Sequence, residues 1–355
     1  MLVLFTDTDC DMTPESCKKY GYNLISMPYI INDKEVYPYV DFDEFDYHTF
    51  YNTLRSGVVP KTCAINPEKY IEYFEPHFAA GNDILYVHFS RQMSGTFNAM
   101  NIALEELKEK YPERKFYSID TKGITIVSRA IALEVGELVL QGKTIDEILE
   151  WAEKEVDKYA VYFYADDLKF FAKSGRVKGF SAFMGGMLGI HPIIYMSSEG
   201  QMVSIDKAMG RNNTLNKLFS YVEKLQDHIQ DHRIIIAHAD CLPIATQFKK
   251  MIVNKYGKNT CIVEIKDSYF NMYEILKDHM DIIDITIKAT KMANIEPRIE
   301  PIRGGTDGAH LTYNGIICPN LGTGGANFHG RFEYITSEAM DKCTEVIVNI
   351  IKIAK

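Results

Sequence analysis

The chain has 355 residues, 46% of them hydrophobic and 25% charged, with 39 basic and 48 acidic side chains for a net charge of −9. This is the composition of a folded globular protein, and the length exceeds what one core usually serves, so two or three domains are expected. An acidic chain without a basic run has no electrostatic footprint for nucleic acid, and anionic phospholipid surfaces repel it on average.

The opening MLVLFTD predicts a short buried strand, and ISMPYIIN a second, followed by DKEVYPYVD as a hairpin arm. DILYVHFS predicts a strand that stops at Ser90. GTFNAMNIALEELKEKYPE then places Phe97, Met100, Leu104 and Leu107 on one helical face. KFYSID predicts a strand, and GITIVSRAIALEVGELVLQG a helix closed by Gly142. This alternation predicts an α/β fold with a parallel sheet covered by helices.

A second region opens near AVYFYADDLKFFAKSGR and continues through IHPIIYMSSEGQMVSID, two strands around a Ser-Ser-Glu-Gly turn. The helix RNNTLNKLFSYVEKLQDH, the strand RIIIAHAD and the helix CLPIATQFKKMIVNKYG complete an α+β unit. In the third region CIVEIKD predicts a strand and MYEILKDHMDIIDITIKATKMANI a helix. PRIEPIRGGTDGAHL returns as strand and turn, and a last helix is capped by Thr336 with Glu338 in its first turn. Met340, Cys343, Ile347 and Ile350 form its expected apolar stripe. The expected boundaries are 1–158, 159–260 and 261–355.

Seven cysteines, an odd number with no C-x-x-C pair, predict reduced thiols in a cytoplasm. The N-terminal apolar run is too short for a signal sequence, and none reaches membrane-spanning length.

Several stretches occur in the order of a known family: FTDTDCD, PKTCAINPEKY, HFSRQMSGTFNAM, SIDTKGIT, ADDLKFFAKSGRV, GFSAFMGGMLGIHPII and IIIAHADCL. Residues 1 to about 260 thereby resemble the DegV family of fatty-acid-binding proteins. The chain departs from that pattern at Cys63 and Ala64, where the family usually has Ser-Gln, and it lacks the family's last strand. In that strand's place stand IKDSYFNM, EPIRGGTDGAHLTYNGIICPNLGTGG and FHGRFEYITSEAMDKCTEVIV, which resemble the C-terminal part of peptidase T, a zinc tripeptide aminopeptidase. The combined expectation is a DegV-like two-domain fold, a parallel-sheet α/β domain plus an α+β domain, followed by a partial peptidase T-like segment.

The first resemblance implies a long-chain, palmitate-like fatty acid whose carboxylate lies between the Pro-x-Thr loop and the Ser-Gly-Thr turn, at Thr62 and Ser94 here. The residue chemistry agrees: a hydroxyl donates to a carboxylate oxygen, Gly95 lets the backbone approach, and N–H groups at a helix start favour an anion. Thr96 is either a head-group contact or only an N-cap. FSAFMGGMLGI is a candidate wall for the tail, with Phe180, Phe183, Met184 and Met187; the ordinary reading is a helix packed on the second sheet. The same resemblance implies a role in lipid transport or fatty-acid metabolism, with no cofactor and no catalytic residue.

The second resemblance places His329 where peptidase T has a zinc ligand. A catalytic zinc needs three protein ligands and an open position. His238 with Asp240, His279 with Asp281, and the Glu105–Glu106 pair have other readings: a DegV-like strand end, a helix interior and a solvated helix face. No metal site is therefore expected, with a zinc aminopeptidase as the alternative function. His88 and Ser90 fall on one face of a strand, where a satisfied strand histidine is the simpler reading. Ser94 lies in no G-x-S-x-G elbow. GGTDGA reads as an inherited turn. The peptidase T-like helices lack the domain they would pack on, which leaves an oligomerisation module, and hence a homo-oligomer, open.

Overall fold

A computed structural model of the chain describes residues 1–166, 175–178, 189–229, 233–257, 263–264, 273–299, 308, 311–312, 315–325 and 334–354. By its contacts the chain divides into two compact units, Met1–Phe45 with Tyr51–Ile265, and Asp46–Phe50 with Lys266–Lys355.

The first unit starts with β1 (Leu2–Asp7), α1 (Pro14–Tyr20) and β2 (Tyr22–Ile25). Thr13 caps α1 and Pro14 opens it, as a helix start favours. The short antiparallel sheet β4-β3-β5 comes next, built from β3 (Tyr29–Ile31), β4 (Lys34–Val36) and β5 (Lys61–Thr62), with α2 (Tyr47–Arg55) between β4 and β5 in sequence. Then come α3 (Pro67–Ala79), β6 (Asp83–His88), α4 (Thr96–Lys110), β7 (Phe116–Asp120), α5 (Ile126–Leu140) and α6 (Ile145–Glu155).

Strands β2-β1-β6-β7 form one parallel sheet in that order. Its central strand β6 is an unbroken apolar run because helices cover parallel sheets on both faces; Ile84, Leu85, Tyr86 and Val87 are all fully buried. Helices α3 and α4 pack on each other, and so do α1 and α5. At the latter contact a Cβ on Gly136 would lie 2.7 Å from the Tyr20 ring, so only glycine fits.

A second sheet has the order β8-β10-β11-β9, from β8 (Tyr162–Tyr164), β9 (Val177–Lys178), β10 (Ile190–Met196) and β11 (Met202–Met209). β10 and β11 pair antiparallel around the expected Ser197–Gly200 turn. α7 (Arg211–Leu225) packs on this sheet and on α8 (Leu242–Tyr256). β12 (Ile234–Ile235) pairs parallel with β13 (Val263–Glu264), so the strand expected over RIIIAHAD is short.

In the second unit α9 (Tyr273–Leu276) and α10 (Met280–Met292) replace the single expected helix, with a break at Lys277–His279. α10 packs on α11 (Ser337–Ile353). Thr336 caps α11, accepting from the Ala339 N–H at 3.2 Å. The expected stripe on α11 needs correction. Met340 and Ile347 are exposed, while Val346 and Asn349 are buried with Ile350 and Ile353 beside them, against Ala289 and Ala293. Apolar residues at three- and four-residue spacing on two sides of one helix allow either register, and the Asn349 side-chain amide favours the inner one by donating to the Ala289 carbonyl at 3.3 Å.

Among the described residues no helix is long and apolar enough to cross a membrane. The described cysteines, Cys10, Cys17, Cys63, Cys241, Cys318 and Cys343, are all unpaired thiols.

Candidate carboxylate-binding site

Thr62 ends β5, where antiparallel pairing sets it opposite Tyr29 and leaves it exposed. Its Oγ1 accepts a hydrogen bond from Arg176 Nη2 at 2.8 Å. Ser94 lies in extended backbone between the one-turn helix Arg91–Met93 and α4. Its Oγ accepts from the Thr96 N–H at 3.2 Å, which satisfies one of the orphan donors at the start of α4. A hydroxyl that accepts still has its own proton to give. Both alcohols are therefore used as acceptors within the protein and retain a proton for a ligand.

Gly95 occupies the cap position of α4 with no side-chain cap bond, and a Cβ there would meet nothing within 4 Å. Among the described residues no neighbour demands the glycine. Thr96 is not an N-cap. It is buried in the first turn, and its Oγ1 lies 3.0 Å from the Tyr70 hydroxyl.

Arg176 is the residue that sequence reasoning passed over. Besides Thr62 it donates from Nε to the Met93 carbonyl at 2.9 Å. One guanidinium thus braces the Pro-x-Thr loop against the residue preceding Ser94. The signal was present in the Lys-Ser-Gly-Arg stretch, where Gly175 takes φ +65° just before it.

The loop carrying Ser94 is also held from the second sheet. Ser90 Oγ donates to the Gly200 carbonyl at 2.7 Å, and Gln201 Nε2 lies 3.3 Å from Gln92 Oε1. Ser90 is therefore a structural link. β6 ends at His88, two residues before the expected stop. His88 is fully buried with Nδ1 2.7 Å from the Phe89 carbonyl. A carbonyl only accepts, so Nδ1 carries the proton and Nε2 is bare, with no partner among the described residues. Burial pulls His88 down to about 3. It is neutral near pH 7, and both side chains are bonded to backbone carbonyls, His88 to that of Phe89 and Ser90 to that of Gly200.

Two carboxyls stand where β1 ends. Asp7 is fully buried; Oδ1 accepts from the Cys10 N–H at 3.0 Å and Oδ2 from the Tyr86 hydroxyl at 2.8 Å. Burial nevertheless pushes it up to about 6. Burial and the charges of Asp7 and Asp11 push Asp9 up to about 7, while Arg176 pulls the other way.

The metal candidates separate into structural roles. His238 Nδ1 accepts from the Cys241 N–H at 3.2 Å, and Asp240 pairs with Arg55 at 2.6 Å. His279 precedes α10, Asp281 lies in its first turn, and Glu105 and Glu106 are exposed on α4. Among the described residues no three His, Cys, Asp or Glu side chains are grouped to hold a metal ion. His329, the GGTDGA turn except Gly308, and the tail-wall residues Phe180, Phe183, Met184 and Met187 lie outside the described residues.

The DegV family model matches residues 1–269. The chain belongs to the DegV family. A DegV domain-containing protein of Clostridium perfringens is 33% identical over 262 residues, 74% of this chain and 90% of that protein. A DegV family protein from Eubacterium eligens, solved loaded with heptadecanoic acid, has a TM-score of 0.60 at 23% identity and covers 74% of this chain and 92% of its own. That likeness shows the shared DegV fold. A second similarity is separate: peptidase T of a Geobacillus species is 54% identical over 99 residues. The chain spans about a quarter of that relative's length, 24%.

Proposed function

We propose that this DegV-family chain binds a long-chain, palmitate-like fatty acid, its carboxylate held by Thr62, Ser94 and Arg176 beside Gly95, and serves lipid transport or fatty-acid metabolism. The carrying observation is that both hydroxyls accept inside the protein and keep a proton for an anion, with a guanidinium 2.8 Å from one of them. A carboxylate there receives two O–H donors, the N–H groups at the start of α4 and a fixed positive charge. That relatives of the same fold have been solved with fatty acid bound supports the ligand class.

Magnitudes divide the work. Burial of about 14 methylenes contributes on the order of 11 kcal/mol before ordering costs, at ~0.8 kcal/mol each. A hydrogen bond to the carboxylate contributes roughly 1.5–3 kcal/mol. The tail supplies affinity and the polar cluster fixes which end faces outward. Native mass spectrometry of gently purified full chain tests this. The expected result is a co-bound acyl chain; protein that emerges lipid-free and refuses palmitate after delipidation refutes it.

The peptidase T similarity favours a second reading, a zinc aminopeptidase with His329 as one ligand, completed by other residues or another chain. Stoichiometric zinc and cleavage of tripeptides would establish it. A third use of the same segment is self-association through the exposed Met340, Ile347 and Ile351 of α11.

A further inference from the structure

We propose that the groove between the end of α4 and the start of β7 is a second binding site, for an organic phosphate with a flat apolar body. The proposal stands independently of the fatty-acid reading.

The groove has a volume of about 350 Å³, within the range of small-molecule sites. Its floor is apolar. Phe78 in the last turn of α3 is buried, and Leu104 of α4 is half-buried against the same core. The Tyr111 ring lies 6.3 Å from that of Phe78, and its hydroxyl donates to Glu75 at 3.0 Å. Phe116 opens β7 with its ring 5.2 Å from the fully buried Phe74. Contacts with the core thus hold this surface in shape, and its rings offer flat faces to a ligand ring.

The charge of the groove is positive on a chain whose net charge is −9. Lys108 follows Leu104 by one turn on the same face of α4, and it lines the groove with Arg114 and Lys115. No carboxylate joins them among the described residues. Arg114 is fixed in place, Nη1 donating to the Gly81 carbonyl at 2.5 Å and lying 3.9 Å from Asp83. Lys110 is neutralised by Glu75. Lys108 and Lys115 are exposed and have no ion-pair partner among the described residues. The end of α4 contributes roughly half a negative charge, and Asp83 offsets Arg114, so the two ammoniums keep the groove positive. A phosphate monoester carries about −1.5 to −2 near neutral pH and matches both; a carboxylate matches one. Exposed ion pairs are individually weak, so the ligand must engage charge and floor together.

The test is titration of naphthyl phosphate into the full chain, followed by naphthyl fluorescence. Inorganic phosphate and naphthol serve as the charge-only and body-only probes. The expected result is saturable binding about tenfold or more tighter than either, weakening as salt is added. Lys108→Glu with Lys115→Glu is expected to weaken it by about tenfold or more, and Lys108→Gln with Lys115→Gln by a smaller factor. Arg176→Ala is expected to leave it unchanged. Naphthyl phosphate bound no tighter than inorganic phosphate, or equally by the natural chain and the folded lysine variants, overturns the site. Binding lost in Arg176→Ala places the anion at Thr62 and Ser94 and overturns it as well.

Discussion

Arg176 Nη2 lies 2.8 Å from Thr62 Oγ1, so a side chain entering β9 of the second sheet fixes a hydroxyl that ends β5 in the first half of the same unit. The guanidinium spans two acceptors from one rigid fork, a geometry that lysine cannot reproduce. Arg176→Ala is expected to weaken palmitate binding by about 10–100-fold, the loss of one charge-assisted interaction. Arg176→Lys is expected to recover only part of it. Fluorescent fatty-acid displacement reads both.

The link from the Ser94 loop to the β10–β11 turn gives a stability prediction. A Cβ on Gly200 would lie 2.2 Å from Ser90 Oγ, and the backbone there has φ +80°. Gly200→Ala is expected to destabilise the chain by about 1–3 kcal/mol in urea unfolding, through clash and backbone strain together. Adding Ser90→Ala relieves the clash and leaves the strain, so the two changes combine less than additively.

Two groups, the buried His88 and the half-buried Asp9, act in opposite directions as pH changes. His88 is lowered to about 3 from an ordinary 6.5, so between those values the unfolded chain binds the extra proton and stability falls on acidification. Asp9 is raised to about 7 from 3.8, so across that window the native chain binds the extra proton and stability rises on acidification. Each effect is at most about 1.4 kcal/mol per pH unit. Thermal melts from pH 7 to 4 are expected to show Asp9→Asn more acid-sensitive than the natural chain, and His88→Asn less so. Identical profiles for all three would contradict the assignment.

The peptidase T-like segment gives a prediction about metal. His238 and Asp240 are engaged with Cys241 and Arg55, and the described residues gather no ligand set. Elemental analysis of the purified full chain is expected to give well under one zinc per chain, unchanged by His238→Ala. One zinc per chain, lost in His329→Ala, would favour the peptidase reading.

The parallel sheet was legible because its strands are continuous apolar runs and its helices keep a 3.6-residue period, as Phe97, Met100 and Leu107 show by being buried together. Local patterning told less where two solutions share one pattern. The stripe on α11 could face inward through Met340 and Ile347 or through Val346 and Asn349, and only packing against Ala289 and Ala293 chooses. The DegV-like motifs put Thr62 and Ser94 forward as candidates for the proposed site. Arg176 was not put forward, because its contact with Thr62 spans 114 positions of sequence. Thr96 looked like a cap because it opens a helix, yet its partner is Tyr70 on another helix.

The central claim is that Thr62 and Ser94 orient a fatty-acid carboxylate, and titrating palmitate into delipidated full chain and into the Thr62→Ala/Ser94→Ala double variant tests it most directly. The expected result is saturable binding to the natural chain and binding at least about 100-fold weaker in the folded variant, two charge-assisted hydrogen bonds at roughly 1.5–3 kcal/mol each. Palmitate bound equally well by both, or by neither, would contradict it.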